Sequence, residues 1–276
     1  MSLFDQLLLV SKHEKEKVMT PILELGLNAK VEVDKNIDTD ALGTFSGEVE
    51  RIFSPTETLK QKCLLGKSFH PDVRYFIASE GSFGPHPNIP FVSCDDELVM
   101  LYDSQTDDHW IGRHLTTETN FNQLSAKTYS EIKEFAIKIG FPKHGLILKN
   151  KLSNQLIKGI TSWEELSDAF EKLSSSHQEI IVETDMRALF NPTRMKAIES
   201  ATKDLVVRLS SFCPECGFPG FHFVKTLSGL PCEWCHRPTK LSKGKVKTCQ
   251  KCDHSEYEYV PKDQLASPEY CNHCNP

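Results

Sequence analysis

The sequence predicts a mixed α/β domain, its sheet flanked by helices, followed by a small cysteine-rich module. Three observations carry that expectation. Short apolar runs alternate with capped amphipathic segments as far as residue 184, the pattern of a layered α/β structure. A long helical pattern then spans 185–211 and reads as a connector. Eight of the ten cysteines fall in the last 64 residues, in a third region running from 212 to 276.

The elements follow in order. Gln6–Val10 is a buried strand, and an amphipathic helix follows from Glu14 to Leu25 with Val18, Ile22 and Leu25 on one face. Lys30–Val33 is a second short strand. Ser54-Pro55-Thr56-Glu57 is a capping box with Pro at the first helical position, opening a helix to Leu65. Val73–Ala78 is strand-like, and Leu98–Tyr102 and Trp110–Leu115 form a hairpin around a polar turn. Thr128-Tyr129-Ser130-Glu131 caps a helix ended by Gly140 and Pro142. Gly145–Leu148 is a strand, Thr161-Ser162-Trp163-Glu164 caps a helix to Leu173, and Ile180–Val182 is a further strand. Asn191-Pro192 starts the long helix, with Met195, Ile198, Leu205 and Leu209 on one face.

Composition narrows the function classes. The net charge is −6, with 39% hydrophobic and 25% charged residues, ordinary for a globular chain. Residues 211–276 hold eight Lys/Arg and seven Asp/Glu, which leaves 24 and 31 to the other 210. The larger part is therefore acidic, which argues against broad nucleic-acid binding there. No apolar run approaches the roughly 18 residues of a membrane span, so no membrane partner is expected. The first residues lack a basic n-region, and the expected compartment is the cytoplasm.

The cysteines form four C-x2-C pairs: Cys213/Cys216, Cys232/Cys235, Cys249/Cys252 and Cys271/Cys274. Such a turn aims two sulfurs at one Zn²⁺, and two turns complete a tetrahedron, so the pattern predicts two structural four-cysteine zinc sites. The gaps between pairs are 15, 13 and 18 residues, each suited to a β-hairpin. That favours sequential pairing into a double zinc ribbon, with Gly220–Lys225 and Glu256–Pro261 as strands. Interleaved pairing, first with third and second with fourth, would give one cross-braced unit. His222, His236, His254 and His273 are then bystanders. Closed sulfur shells leave no catalytic position. Lys240, Lys243, Lys245, Lys247 and Lys251 could meet phosphates of a nucleic acid, though a lysine-rich hairpin tip is more often a solvated turn. Trp234 could stack on a base, but a place inside a knuckle suits packing better.

Several long segments read together: Ser11-Lys12-His13-Glu14-Lys15-Glu16; Asp38 to Arg51; Ala78 to Pro87; Asp185 to Met195; and Cys213-Pro214-Glu215-Cys216-Gly217 with Cys274-Asn275-Pro276. With these the chain resembles, over nearly its whole length, an uncharacterised bacterial family, the domain of unknown function DUF6671. That resemblance implies no activity. The N-terminal part also resembles, remotely, the inosine-triphosphate pyrophosphatase-like enzymes that hydrolyse non-canonical nucleoside triphosphates. Ser11 and His13 stand at the Ser/Thr and Asn places of that family's first turn, with Glu16 at its Lys place and Lys15 and Lys17 beside it. Gly43-Thr44-Phe45, then Glu57 with Lys62, match its next segments, and Glu80-Gly81 resembles its acidic-glycine turn.

Residue chemistry points the same way. Ser11, Lys12 and His13 lie where a strand meets a helix N-terminus, a place for a phosphate. Asp38, Asp40, Glu48 and Glu50 offer hard oxygen ligands for Mg²⁺. Glu80 and His86 share a Gly/Pro-rich stretch that reads as an active-site loop. Arg187 and Arg194 would clamp substrate phosphates. Each has a plainer alternative: Asp38 and Asp40 in an Asx turn, Glu48 and Glu50 paired with Arg51 or Lys60, Glu57 spent in its capping box, and both arginines bonded to carboxylates under the long helix. The leading expectation is Mg²⁺-dependent hydrolysis of a phosphoanhydride, a nucleotide substrate in particular. The competing one is a non-enzymatic adaptor that binds protein or RNA through its zinc ribbons.

Overall fold

The computed structural model describes residues 3–39, 42, 52–150, 153, 155–174 and 179–276. The chain divides into two compact units, 1–206 and 207–276. The helix set apart as a connector thus lies mostly within the first unit.

The described residues of the first unit form two sheets. In the larger, the strands run β2-β1-β3-β4-β5 across the sheet, where β1 is Gln6–Val10, β2 Lys30–Asp34, β3 Tyr75–His86, β4 Ile89–Asp103 and β5 His109–Thr116. β1 pairs parallel with both β2 and β3, while β3, β4 and β5 form an antiparallel meander. Helix α1 (Glu16–Leu27) connects β1 to β2, and α2 (Pro55–Phe69) precedes β3. The side chains of β-strands alternate between faces. Leu8, Val10, Phe76, Ala78, Met100 and Tyr102 therefore share one face, where Leu59 and Cys63 of α2 cover them. The opposite face receives α5 (Pro192–Leu209). A Cβ at Gly112 of β5 would lie 2.4 Å from the Ala201 carbonyl, so glycine there lets the helix backbone touch the sheet.

The second sheet is antiparallel, in the order β6-β9-β7-β8. Its strands are β6 Gln123–Ala126, β7 Leu146–Asn150, β8 Leu156–Ile160 and β9 Ile180–Thr184. Helices α3 (Tyr129–Ile139) and α4 (Trp163–Leu173) cover one face, with Ile132, Phe135, Leu166 and Leu173 buried on Leu146, Leu148, Ile180 and Val182. Both helices open with reciprocal capping boxes, Thr128 with Glu131 and Ser162 with Glu165, the latter one residue later than the sequence suggests.

Three expectations are corrected. The stretch Glu80–His86 is strand, not loop: it continues β3 in register with β4, from Glu80 opposite Leu98 to Gly84 opposite Cys94. Its glycines suggest a loop, but a Cβ at Gly81 would fall 2.3 Å from the Glu97 carboxylate, so glycine serves close packing there. Helix α1 starts at Glu16 because His13 and Glu14 both hold positive φ, 64° and 63°. Its buried face is Met19 and Leu23, whereas Leu25 points to solvent. The second unit carries a third sheet, β10 (Phe223–Ser228), β11 (Ser242–Thr248) and β12 (Ser255–Tyr259), in that order and antiparallel. No described helix is long and apolar enough to cross a membrane.

Candidate metal centres and a buried charged cluster

The second unit brings its eight cysteines into two groups of four: Cys213, Cys216, Cys249 and Cys252, and Cys232, Cys235, Cys271 and Cys274. Within each, all sulfurs lie within 4.8 Å of one another. Cys213–Cys252 and Cys216–Cys249 are 3.7 and 3.6 Å apart, and Cys232–Cys274 and Cys235–Cys271 are 3.9 and 3.6 Å apart. A tetrahedron of sulfurs at the Zn–S length has edges of about 3.8 Å, so each group fits one zinc ion. Each group supplies four sulfurs, enough for a closed shell, and none of the four nearby histidines belongs to either.

The pairing is interleaved, which corrects the expectation of two sequential ribbons. Strand pairing is the physical reason. β10 lies between the first and second knuckles and β11 between the second and third. Their antiparallel register sets Phe223 opposite Lys247. The knuckle before β10 therefore meets the knuckle after β11. At the other end Ser228 faces Ser242, the second knuckle occupies the intervening connection, and β12 leads on toward the fourth. The gaps do hold β-strands, but each strand pairs across a knuckle rather than within a gap. Trp234 is 72% exposed, so it does not pack inside its knuckle.

The first unit holds a second concentration of chemistry where β1 ends beside β3. Val10 pairs with Ala78, so the chain leaves β1 at Ser11 beside Ser79. Lys15 is 5% exposed, and its Nζ donates to Ser79 Oγ at 3.0 Å. Lys62 of α2 donates to Glu80 Oε2 at 2.5 Å and to the Ser79 carbonyl at 3.1 Å. On the α5 side, Arg194 Nε donates to Glu97 Oε1 at 2.6 Å, both side chains wholly buried. Asp95, two residues along β4, is also buried. Glu97 Oε2 and Asp95 Oδ1 accept no hydrogen bond among the described residues.

The electrostatics follow from burial. Desolvation, then the charges of Arg194 and Lys62, lower the Lys15 ammonium to about 7. Desolvation, then the Glu97 charge, raises the Asp95 carboxyl to about 8. Three cations and three carboxyls thus share one water-poor region at the C-terminal ends of parallel strands, where open α/β sheets commonly bind ligands.

The predicted residues divide accordingly. Glu80 and Ser11 lie in this region. Lys12 reaches outward to Asp38, at 2.5 Å. His13 occupies the left-handed turn before α1. His86 is not brought to Glu80: six residues of extended strand, about 20 Å, separate them, and its Nδ1 accepts from the Asn88 amide. Arg187 pairs with Asp185 at 2.6 Å beside the second sheet, and Arg194 is engaged by Glu97, so both arginines meet carboxylates. Glu57 caps α2. Asp40, Glu48 and Glu50 lie outside the described residues. Among the described residues, only the cysteine tetrads gather three or more candidate metal ligands. Sequence reasoning missed Ser79, Asp95 and Glu97. The last two share a face of β4, and that parity within the run Asp95-Asp96-Glu97 was the available signal.

Comparison with protein families matches residues 62–276 to a family described as a domain of unknown function (DUF6671). No curated protein matches the chain.

Proposed function

Because the chain belongs to the DUF6671 family, a domain of unknown function, its chemistry must be read from its own residues, and we propose that its first unit binds and hydrolyses a phosphoanhydride, a nucleotide in particular. One observation carries this reading: Lys15 and Lys62 converge on Ser79 and Glu80 at the end of β1. Burying lysines is costly, and a fold gains little from it unless the ammonium groups meet an anion. A phosphoryl group at this place would take oxygen contacts from both lysines. Glu80 would then be released from Lys62 to accept a proton from the attacking water. A bound Mg²⁺ would supply further charge neutralisation for the leaving phosphate. The resemblance to the inosine-triphosphate pyrophosphatase-like enzymes belongs to the same reading, through Ser11, Lys62 and Glu80. Both zinc ions are structural in this account.

The test is a screen of the full-length protein against nucleoside triphosphates with Mg²⁺ or Mn²⁺, following phosphate and pyrophosphate release. Turnover lost in Glu80→Gln with both zincs retained supports the reading. Turnover of no phosphoanhydride by zinc-loaded protein rejects it. A second reading, an adaptor that binds protein or RNA through the zinc module, draws on Tyr257 and Tyr259. Their rings are exposed, parallel to within 10° and 6.2 Å apart on β12. RNA binding by the second unit that Tyr257→Ala weakens would favour it.

A further inference from the structure

Within the charged cluster, Lys62 has Glu80 and Arg194 has Glu97 as a carboxylate partner. Lys15 has none among the described residues, and its ammonium donates only to the Ser79 hydroxyl. The groups facing it come from four elements: Ser79 and Glu80 from β3, Glu97 from β4, Lys62 from α2 and Arg194 from α5. Both carboxylates are already committed to other cations. Lys15 is also the N-cap residue of α1, an end whose dipole opposes a buried cation and favours an anion.

We infer that Lys15 takes up a proton from solvent as a phosphoryl anion enters beside it, and gives that proton back when the anion leaves. Anion binding at this site is therefore proton-linked. The inference rests on the phosphoryl reading above and adds its regulation: occupancy falls as pH rises through neutrality. The physical basis is a missing counter-ion. Without ligand, a charged Lys15 is desolvated beside two cations, which brings its neutral form within reach; burial accordingly holds it near neutrality. A phosphoryl oxygen supplies the absent negative charge, and the ammonium becomes the stable form. The balance is one proton from water to Nζ, with no bond of the ligand made or broken.

The experiment is an NMR titration of lysine side chains in the full-length, zinc-loaded protein, with no anion, with sulfate and with inorganic pyrophosphate. Sulfate keeps its charge throughout the range, so any proton uptake belongs to the protein. The expected result is a Lys15 midpoint near 7 that rises by a unit or more with either anion. Sulfate affinity should fall by up to about tenfold per pH unit between the free and the anion-bound midpoints and level off above the latter. Lys15→Arg, charged at every pH, should bind sulfate without that dependence, and if that variant does not fold, the titration of the unmodified protein still decides. Binding that perturbs Lys62 while the Lys15 midpoint stays fixed overturns the inference and leaves the phosphoryl reading standing. A Lys15 that titrates in the ordinary lysine range in the free protein also overturns it. If neither anion perturbs Lys15 or Lys62, both fall.

Discussion

At the scale of single residues, the most consequential feature is the cost of the buried charges. Lys15, depressed from 10.5 to about 7, binds fewer protons in the native state than in the unfolded one between those values. Its destabilising contribution is therefore full below about pH 7 and disappears as pH rises toward the unfolded value. Lys15→Met should stabilise the protein at neutral pH by up to a few kcal/mol, with the gain over the parent shrinking on the alkaline side. Urea unfolding at several pH values measures this; a variant less stable than the parent at neutral pH would mean that the amine contributes more than it costs. Arg194 is the opposite case. It joins Glu97 to the Met186 carbonyl and to α5, and its side chain and that of Glu97 are wholly buried. Arg194→Met strands the Glu97 carboxylate and should cost about 3–5 kcal/mol, with Glu97→Gln in the same background recovering part of it.

At the scale of elements, close backbone packing and caps decide where the helices sit. A methyl at Gly112 would meet both the Ala201 carbonyl and the Leu205 amide at 2.4 Å, and neither backbone can yield alone. Gly112→Ala should therefore cost at least about 1–3 kcal/mol by overpacking, seen as a lowered thermal midpoint of the first unit. A neutral outcome would show that α5 is not seated so tightly on β5. Thr128→Ala removes one half of the α3 capping box and should cost about 1 kcal/mol. The left-handed pair His13 and Glu14 belongs to this scale too. It turns the chain after β1 so that α1 begins at Glu16 and Lys15 points inward, a placement that no helical periodicity announces.

At the scale of the whole molecule, the interleaved tetrads make the second unit one cooperative object. Each tetrad gathers segments more than 30 residues apart, so loss of one zinc ion should loosen the shared sheet between them. The purified chain should carry two zinc ions, measured by elemental analysis. The double variant Cys213→Ser/Cys249→Ser should keep one, because both residues serve the same tetrad. Sequential pairing would instead damage both sites, and a zinc-free double variant is the result that contradicts the structure. Chelation should unfold the sheet of the second unit, since thiolate binding supplies roughly 10–16 kcal/mol in small zinc domains.

By itself the sequence determined whatever depends on neighbours along the chain. Capping boxes at Ser54 and Thr128 and the C-x2-C knuckles are local, because their hydrogen bonds and sulfurs come from within a few residues, and Gln6–Val10 shows itself as an unbroken apolar run although its ladder partners lie far along the chain. The metal ligands were legible for that reason. Everything requiring a choice of distant partner was decided by tertiary structure. Knuckle pairing depends on which strand β11 adopts as neighbour, and spacing alone serves both arrangements. The glycines of Glu80–His86 suggest a loop until Glu97 and Arg194 are seen to need the space that Gly81 leaves. Lys15, Lys62, Ser79, Glu97 and Arg194 span 180 positions and share no motif. They form a cluster only because parallel pairing of β1 with β3 sets Ser11 beside Ser79, and because burial there turns ordinary charged residues into groups with an unmet electrostatic demand.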